Sequence, residues 1–393
     1  MKTEKSLLLS LLLFVFLFPN ISLAQTGNNV GFIQQKNYYE EIPFELMRGL
    51  PIIKVHYKNE IRNFMFDTGA QNIFFGEIND AENQKNITVN DTHQNKSSQK
   101  IVYHQDFQLG NLSFTDQPMI VYAAKDNFLT DCFKIDGLIG SNAVRNSVVK
   151  LDYSRNILII TNDLKRLNLK EFESVKMSKN SKNTTYPYIS VNYGAKRNVE
   201  INYLMDSGYT SDIDLSANAS SVLEKYGGIL QKQSGFGVTG LGLFGTNADE
   251  NLVRVKTVPA QVGKLKIEDY FIGVSSSSHS KIGYGIMKFL NPVFDFMKGR
   301  VYLQNPDKPL KQQRNATVGI LFQNGKTVIS TLWGDAVNKA KTGDEVLEID
   351  GVKPQVSSIC EILLNNPLSG RKTLTAKNKQ GENYTVSIFQ DQN

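Results

Sequence analysis

Short apolar runs with alternating polar positions recur along this chain, and they predict β-strands in preference to long helices. Residues 51–57 and 187–193 are the clearest pair, because proline, isoleucine, valine and tyrosine occupy the same frame in both. Further apolar runs follow each of them in a similar order. The pattern therefore predicts a mainly β chain that contains an internal repeat.

The two repeats continue through the same series of signals. In each, an apolar strand ends in an acidic turn, which is Asp-Thr-Gly at 67–69 and Asp-Ser-Gly at 206–208. A glycine turn and a final strand then close each repeat, over 136–160 and over 282–303. We therefore predict two β lobes related by a pseudo-twofold axis.

Changes in composition set the expected boundaries. The lobes are predicted over 25–161 and 187–303, joined by a polar linker at 162–186. A second linker, rich in proline and charge, is predicted at 304–315. Beyond it the pattern changes, and residues 316–391 are expected to form a small domain of a different kind.

Residues 1–24 are predicted to be a cleaved signal peptide. Lys2 and Lys5 precede an apolar run over 7–18, and Ser22 and Ala24 suit cleavage after Ala24. The run is too short to span a bilayer stably, no cysteine follows it to carry a lipid anchor, and no later stretch approaches membrane-spanning length. We expect a soluble mature protein that is secreted or periplasmic.

Composition narrows the classes of function. The chain has 44 lysine and arginine residues against 38 acidic ones, and the excess is spread along it, which disfavours nucleic acid as a partner. The four histidines lack metal-ligand spacing, so neither a metal nor another cofactor is expected. Cys132 and Cys360 are expected in different domains, as two buried thiols without a bridge.

The repeated acidic turns carry the candidate chemistry. A carboxylate at the end of a buried strand needs hydrogen bonds, and glycine lets backbone N–H groups approach it closely. If the two turns meet at a twofold axis, Asp67 and Asp206 lie about 3 Å apart and share one proton. One then acts as a base toward water and the other as an acid toward a carbonyl oxygen. The alternative is a pair of ordinary strand-ending turns, in which aspartate and glycine are common.

Residues 45–303 resemble the pepsin and retropepsin-like aspartic peptidases, in particular two-lobed bacterial members. The family's pattern is an apolar stretch, Asp-Thr/Ser-Gly, and a downstream closing turn of two hydrophobic residues and glycine. The closing turns here are 138–140 and, less closely, 283–285. The resemblance implies peptide hydrolysis by a water that the catalytic residues Asp67 and Asp206 activate. It assigns the support of this pair to the turn residues Thr68, Gly69, Ser207 and Gly208.

The residue after each motif is usually serine, threonine or alanine in that family, and here it is Ala70 and Tyr209. Alanine cannot donate the hydrogen bond by which a hydroxyl lowers the pKa of a carboxyl. We therefore expect an activity optimum at mildly acidic to neutral pH. The bulky Tyr209 and the less regular second closing turn favour an alternative, a catalytically silent peptide-binding protein.

Aspartic peptidases cover the acid pair with a hairpin flap. The first lobe offers a polar stretch at 79–100 and a strand at 101–104, with Tyr103 as the flap aromatic. The second offers the glycine-rich run 235–245 as a flexible hairpin, an ordinary surface loop being the alternative. That run also matches G-x-G-x-x-G, but no βαβ unit surrounds it, which excludes a nucleotide enzyme.

Residues 316–391 resemble a PDZ domain in the bacterial strand order. The distinctive run is Gly-Asp-Glu-Val-Leu-Glu-Ile-Asp-Gly at 343–351, and a groove helix is expected at 355–366. The resemblance implies that a peptide C-terminus adds as a strand beside the domain. Its carboxylate would be bound by backbone N–H groups of Val318, Gly319 and Ile320. A docking module that binds no free peptide is the alternative.

The sequence thus predicts an exported, monomeric aspartic endopeptidase that is mainly β. Two lobes of the acid-protease fold are followed by a small α/β PDZ module that binds or presents polypeptide. No cofactor, nucleic acid or membrane span is expected.

Overall fold

Strands dominate the computed structural model, which describes residues 29–391 apart from 79–82, 91–95, 123–126, 179–184, 239–240, 243–244, 247–248, 305–306 and 312–313. Of the described residues, 53% are in strands and 10% in helices, so the predicted mainly β class is confirmed. The predicted signal peptide lies outside the described residues. Within them, every helix is too short or too polar to cross a membrane.

Most strands of the first half of the chain, residues 29–161, belong to one nine-stranded sheet. Their order in it is β1-β9-β6-β10-β5-β4-β8-β7, with β3 beside β4. Alternation works as predicted in β4, where Ile53, Val55 and Tyr57 are buried and Lys54 and His56 are exposed. The elements are β1 (Phe32–Ile33), β2 (Tyr39–Pro43), β3 (Glu45–Met47), β4 (Leu50–Tyr57), β5 (Glu60–Asp67), β6 (Ile73–Phe75), β7 (Gln84–Asn90), β8 (Lys96–Leu109), β9 (Leu112–Tyr122), α1 (Phe128–Asp131), β10 (Gly137–Gly140), β11 (Val148–Asp152) and β12 (Ile157–Thr161).

The connection at 162–186 is more than the predicted linker. It contains a 3₁₀ helix, Leu164–Arg166, and a strand, β13 (Phe172–Lys176). The helix begins after Asp163, whose carboxylate accepts the backbone N–H of Lys165 at 3.0 Å. β13 is the edge strand of a six-stranded sheet, and its residues are half-buried or exposed.

The second half, residues 187–303 together with Gln304 at the end of its last strand, repeats this arrangement. Its elements are β14 (Tyr188–Tyr193), β15 (Val199–Met205), β16 (Ile213–Ser216), α2 (Ala217–Lys225), β17 (Ile229–Gly237), β18 (Leu241–Gly242), β19 (Gly245–Thr246), β20 (Glu250–Thr257), β21 (Ala260–Val262), β22 (Leu265–Glu268), β23 (Phe271–Ser275), β24 (Ser280–Ile282), α3 (Tyr284–Leu290), β25 (Val293–Asp295) and β26 (Arg300–Gln304).

Corresponding strands of the two halves have the same neighbours. In the first half, β10 lies between β5, to which it is parallel, and β6, to which it is antiparallel. In the second half, β24 lies between β15 and β16 in the same two senses. The same arrangement of three neighbouring strands therefore occurs in both halves of the chain.

A six-stranded sheet joins the halves, in the order β13-β26-β25-β11-β12-β2. At its centre, residues 148–150 of β11 pair antiparallel with residues 293–295 of β25. β11 and β25 each follow the closing turn of their own half, so the two strands that pair here are corresponding strands of the two halves. Val149, Leu151, Phe294 and Val301 of this sheet are fully buried, and they connect the two halves through one apolar core.

The C-terminal module, residues 314–391, has an apolar core of its own, which includes Ile329, Leu374 and Ile388. Its elements, after the short β27 (Leu310–Lys311) that pairs with β22, are β28 (Arg314–Ala316), β29 (Val318–Gln323), β30 (Lys326–Trp333), α4 (Ala336–Lys339), β31 (Glu345–Ile349), α5 (Ile359–Asn365), β32 (Thr373–Lys377), β33 (Asn383–Ser387) and β34 (Phe389–Asp391). The predicted linker at 304–315 therefore contains strand β27 and the beginning of β28.

The module is attached to the second half by a shared sheet. Residues 331–333 of β30 pair with residues 235–237 of β17, which makes the two sheets continuous. Arg254 of the neighbouring β20 is buried at this junction, where its guanidinium donates to the carbonyl of Ala316 at 2.7 Å and lies 4.8 Å from the ring centroid of Trp333. Burial lowers the pKa of Arg254 to about 10.

A disulfide joins Cys132 and Cys360, so the expectation of two separate thiols is wrong. The Cα atoms lie 4.9 Å apart, although the residues are separated by 228 positions. Sequence distance was misleading because α5 of the module packs onto the first half. Ile359, Leu363 and Leu364 contact the apolar cluster that contains Leu129 and Phe133, and this brings the cysteines together. The module is therefore attached to the second half by a sheet and to the first by a covalent bond.

Candidate active site

The two predicted carboxyls meet where the halves face each other. Asp67 ends β5, and Asp206 directly follows β15. They are 8% and 5% exposed, and their side chains are hydrogen-bonded to each other. The repeated motif therefore brings together two residues that are 139 positions apart, as the sequence predicts.

Glycine is required in each motif because the opposite carboxyl lies against it. A Cβ atom added to Gly69 would stand 2.6 Å from the Cγ of Asp206, and one added to Gly208 would stand 2.6 Å from the Cγ of Asp67. Both glycines have ordinary negative-φ or extended backbones, so close approach explains them and backbone strain does not. An alanine at either position would push the carboxyls apart.

The hydroxyls of Thr68 and Ser207 bind the two turns together. The Thr68 N–H donates to Ser207 Oγ and the Ser207 N–H donates to Thr68 Oγ1, each at 3.0 Å. Thr68 Oγ1 donates in turn to the carbonyl of Met205 at 2.6 Å, and Ser207 Oγ to that of Phe66 at 2.8 Å. All four groups are buried, and leaving one such donor unpaired costs about 1–3 kcal/mol. The reciprocal bonds therefore fix the separation of the aspartates.

Each carboxylate accepts one backbone hydrogen bond from its own turn. The Gly69 N–H donates to Asp67 Oδ1 at 2.8 Å, and the Gly208 N–H donates to Asp206 Oδ1 at 3.0 Å. Burial, followed by the neighbouring Asp206, raises the pKa of Asp67 well above its ordinary value. The arrangement favours one proton shared by the pair, with Asp67 in its protonated form.

Lys281 breaks the symmetry of the pair, and sequence reasoning missed it. Its Nζ donates to Asp206 Oδ2 at 2.8 Å, and its side chain is 8% exposed. Burial alone would lower the pKa of Lys281, but the combined attraction of Asp206, Asp67 and Asp214 raises it above its ordinary value.

The second closing turn is Lys281-Ile282-Gly283, so the predicted turn at 283–285 is wrong by two residues. Ile282 pairs with Met205 beside Asp206, just as Ile139 pairs with Phe66 beside Asp67. Gly285 instead lies in α3, which begins after Gly283. Placing Gly283 opposite Gly140 in the repeat would have put Lys281 opposite Leu138, and this was the signal that could have revealed it.

Tyr209 lies beside Lys281. The ammonium of Lys281 is 5.6 Å from the centroid of the Tyr209 ring. The backbone of Tyr209 closes the turn, because its N–H donates to the carbonyl of Asp206 and its carbonyl accepts the N–H of Tyr284. The Tyr209 ring is therefore one of the groups that bury the lysine, a contact that Ala70 does not make in the first half.

A third carboxyl, Asp214 on β16, lies on the other side of Lys281. Lys281 and Asp214 are paired in register between β24 and β16, and Ser275 Oγ donates to Asp214 Oδ2 at 2.5 Å. Burial raises the pKa of Asp214 to about 6, against the hydrogen bond from Ser275 and the charge of Lys281. The second half thus places a polar cluster next to the pair.

Two hairpins correspond to the predicted flaps. In the first half β7 pairs with β8, and residues 91–95 between them lie outside the described part of the chain. Tyr103 is on β8, partly buried against the apolar cluster of the first half, with Lys85 Nζ 5.7 Å from its ring centroid. In the second half β17 pairs with β20, and the glycine-rich run 235–245 begins in β17 and is described only in part beyond 238.

The three residues predicted to bind a peptide carboxylate lie in strand β29 rather than in a loop before it. Val318 and Gly319 pair with Leu332 and Thr331 of β30, and the side chains of Val318 and Ile320 are buried in the module core. β28 and Thr317 precede them and pair with the end of the chain. The expected groove helix is α5, which begins at Ile359 after the capping Ser358 and contacts β29.

Among the described residues, no group of three or more histidine, cysteine, aspartate or glutamate side chains could hold a metal ion. Neither the scan against protein-family models nor the search of curated proteins found a match. The interpretation of this site therefore depends on its own geometry.

Proposed function

We propose that this protein is an aspartic endopeptidase of the acid-protease fold. The observation that carries the proposal is the buried, hydrogen-bonded pair of Asp67 and Asp206, held by reciprocal bonds between Thr68 and Ser207. A pair of carboxyls with one proton between them can supply a base and an acid to the same reaction. The repeated topology of the two halves supports the assignment of two pseudo-twofold-related lobes.

Hydrolysis by such a pair needs only a water and a peptide carbonyl between the carboxyls. The ionised carboxyl removes a proton from the water as its oxygen attacks the carbonyl carbon, and the protonated carboxyl donates to the carbonyl oxygen. In the second step the first carboxyl gives its new proton to the leaving nitrogen as the C–N bond breaks, and the second carboxyl recovers a proton from a hydroxyl of the tetrahedral intermediate. The hairpin β7–β8 is the proposed flap that covers the substrate. The corresponding hairpin of the second half, β17–β20, is paired through β17 with β30 of the module.

We propose that the C-terminal module is a PDZ module that binds or presents polypeptide. Among the described strands β29 pairs only with β30, so its other edge, which faces α5, is available for an added strand. Polypeptide is the proposed partner at both sites, with a peptide C-terminus at the module.

Export to the periplasm or the medium fits the Cys132–Cys360 disulfide, because such bonds persist in oxidising compartments.

The test is cleavage of an unfolded protein by purified chain lacking residues 1–24. We expect cuts within the substrate, and inhibition by a peptide that carries a hydroxyl in place of the scissile carbonyl, because such a group takes the position of the attacking water. A chelator should have no effect. Cleavage that persists in the presence of the hydroxyl inhibitor and in the variant Asp67→Asn would contradict the proposal.

The pH dependence of cleavage should reflect the raised pKa of Asp67. Activity needs Asp67 protonated, and burial extends that form to higher pH, so we expect a bell-shaped profile with its maximum between about pH 5 and about pH 7. Ala70→Ser is the matched variant, because an added hydroxyl that donates to a carboxylate stabilises the ionised form and should move the maximum to lower pH. The lower pKa of the carboxyl pair in acid-adapted enzymes lies at about 2 to 3. A wild-type activity maximum in that pH range would refute this expectation.

A catalytically silent peptide-binding protein is the second candidate, and Lys281 is the observation that favours it. The Lys281 ammonium is paired with Oδ2 of Asp206. In this second function Asp206 serves as the partner of that ion pair and does not activate a water. This function predicts that the chain binds both the hydroxyl inhibitor and unfolded peptide, and that it does not cleave the peptide at any pH.

A further inference from the structure

Lys281 occupies a position that is apolar in the other half of the molecule. On β24 it lies between Leu204 of β15 and Asp214 of β16. The matching residue on β10 is Leu138, which lies between Met65 and Ile73. The second half has therefore replaced a buried leucine and isoleucine by a lysine and an aspartate.

The replacement is costly for a structural role alone. A buried ammonium is stable only when paired and hydrogen-bonded, and a buried ion pair seldom stabilises a fold more than the apolar residues it replaces. The first half shows that apolar residues fill the same position well, since Leu138 is 4% exposed and Ile73 is 5% exposed. The presence of a lysine at this position is therefore best explained by its effect on the carboxyl of Asp206, which it contacts.

The two aspartates are unequal because of this contact. Asp206 has a cation 2.8 Å from Oδ2 and a backbone N–H on Oδ1. Asp67 has the Gly69 N–H and the carboxyl of Asp206, and within the described residues no ion pair reaches it. A cation on one member of a pair favours the negative charge on that member and the proton on the other.

We propose that Lys281 is a positioning residue that holds the negative charge on Asp206 and leaves the shared proton on Asp67. The inference rests on the proposed peptidase function and assigns the roles within it. Asp206 takes the proton from water, and Asp67 gives its proton to the carbonyl oxygen. When the C–N bond breaks, Asp206 protonates the leaving nitrogen and Asp67 recovers a proton from the tetrahedral hydroxyl. Both carboxyls end the cycle as they began.

The charged and titratable groups around this lysine agree with the assignment. Asp206 and Asp67 face it from the two acidic turns, and Asp214 faces it from β16. Their attraction raises the pKa of Lys281, so the cation persists throughout the range in which carboxyls titrate. The phenols near the lysine or the pair, namely Tyr153, Tyr186, Tyr188 and Tyr209, have pKa values that burial raises. His279 lies two residues before the lysine, and its Nδ1 is hydrogen-bonded to the Tyr188 hydroxyl at 3.1 Å.

The test compares pH–rate profiles of wild type, Lys281→Met and Lys281→Arg. Without the cation, the single negative charge of the acid pair is less stable and forms only at higher pH. We expect the acid limb of Lys281→Met to move up by at least about one pH unit, and kcat to fall about 10- to 100-fold with little change in KM. Lys281→Arg should restore the acid limb. Leu138→Met is the matched control at the corresponding position, and its limbs should coincide with those of wild type.

An activity-free readout keeps the inference separate from the proposed function. Removing the cation makes the folded pair hold protons more tightly than it does in wild type, while the unfolded chain is unaffected. The free energy of unfolding should therefore fall more steeply from pH 4 to pH 7 in Lys281→Met than in wild type or Leu138→Met. Unchanged limbs and equal slopes would overturn the role of Lys281, even if Asp67→Asn abolishes cleavage. A Lys281→Met variant that is faster than wild type at every pH would also overturn it, because the lysine would then be inhibitory. A wild type that never cleaves, with different slopes, would reject the peptidase and leave the charge assignment standing.

Discussion

Asp67→Asn and Asp206→Asn are each expected to lower peptide cleavage by about 10⁴-fold, which is the upper range for general acid–base groups. The two variants should nevertheless differ in folding stability. Asparagine retains the shape of aspartate and can still accept the N–H of its glycine. The difference therefore arises from charge, because only Asp206 is paired with Lys281.

Asp67→Asn should raise stability at neutral pH. The pKa of Asp67 is raised in the folded state, so the folded chain binds more protons than the unfolded chain above about pH 4, and stability falls as pH rises through that range. The substitution removes this loss of stability. Chemical unfolding at pH 4 and pH 7 measures the free energy of unfolding of variant and wild type, and the increase in the variant should be larger at pH 7.

Asp206→Asn should instead lower the free energy of unfolding by about 3 kcal/mol, the lower end for a broken buried ion pair, because Asp67 and Asp214 remain close to the lysine. The double variant Asp206→Asn/Lys281→Met removes both charges and should recover most of the loss. Equal stabilities for Asp67→Asn and Asp206→Asn would show that the lysine is not electrostatically tied to Asp206.

Replacing the disulfide by Cys132→Ser/Cys360→Ser should be the largest stability change away from the acid pair. The bond closes a chain segment with a sequence separation of 228, for which chain entropy gives an upper value of about 5 kcal/mol. Chemical unfolding of the variant against the oxidised wild type measures the loss. The expected result is a reduction of about 3 to 5 kcal/mol.

The loss should be concentrated where the module meets the first half. Amide hydrogen exchange of α5 should be faster in the serine variant, whereas strands of the central six-stranded sheet should be less affected. A reducing agent should reproduce the effect in wild type and add nothing to the variant. Identical unfolding midpoints for oxidised and reduced wild type would contradict a structural role for the bond.

The sequence predicted the acid pair because its signals are local and repeated. Each aspartate follows an apolar strand and precedes a glycine, and the strand pairs that hold them, such as β4 with β5 and β14 with β15, are neighbours in the chain. A topology built twice from local hairpins is visible as a repeat. The mainly β class and the meeting of Asp67 with Asp206 could therefore be anticipated.

Long-range packing was not visible in the same way. The Cys132–Cys360 bond depends on how α5 packs against the first half, and no local pattern encodes that contact. Lys281 was missed because the second closing turn was matched two residues too late, at a glycine that belongs to α3. The register of β24 with β15 shows which residues of the two closing turns correspond. Register depends on how two strands pair, and the sequence of one strand alone does not specify it.

The antiparallel contact between β11 and β25 bears on how such a molecule could have originated. A polypeptide that ended at residue 161 would expose β11, with its buried valines and leucine, as an open sheet edge. Two copies of that polypeptide could cover the edge by pairing with each other, in the way that the two corresponding strands pair here. The arrangement is the one expected after tandem fusion of an ancestral homodimer, and fusion is what allows one copy to acquire a lysine that the other lacks.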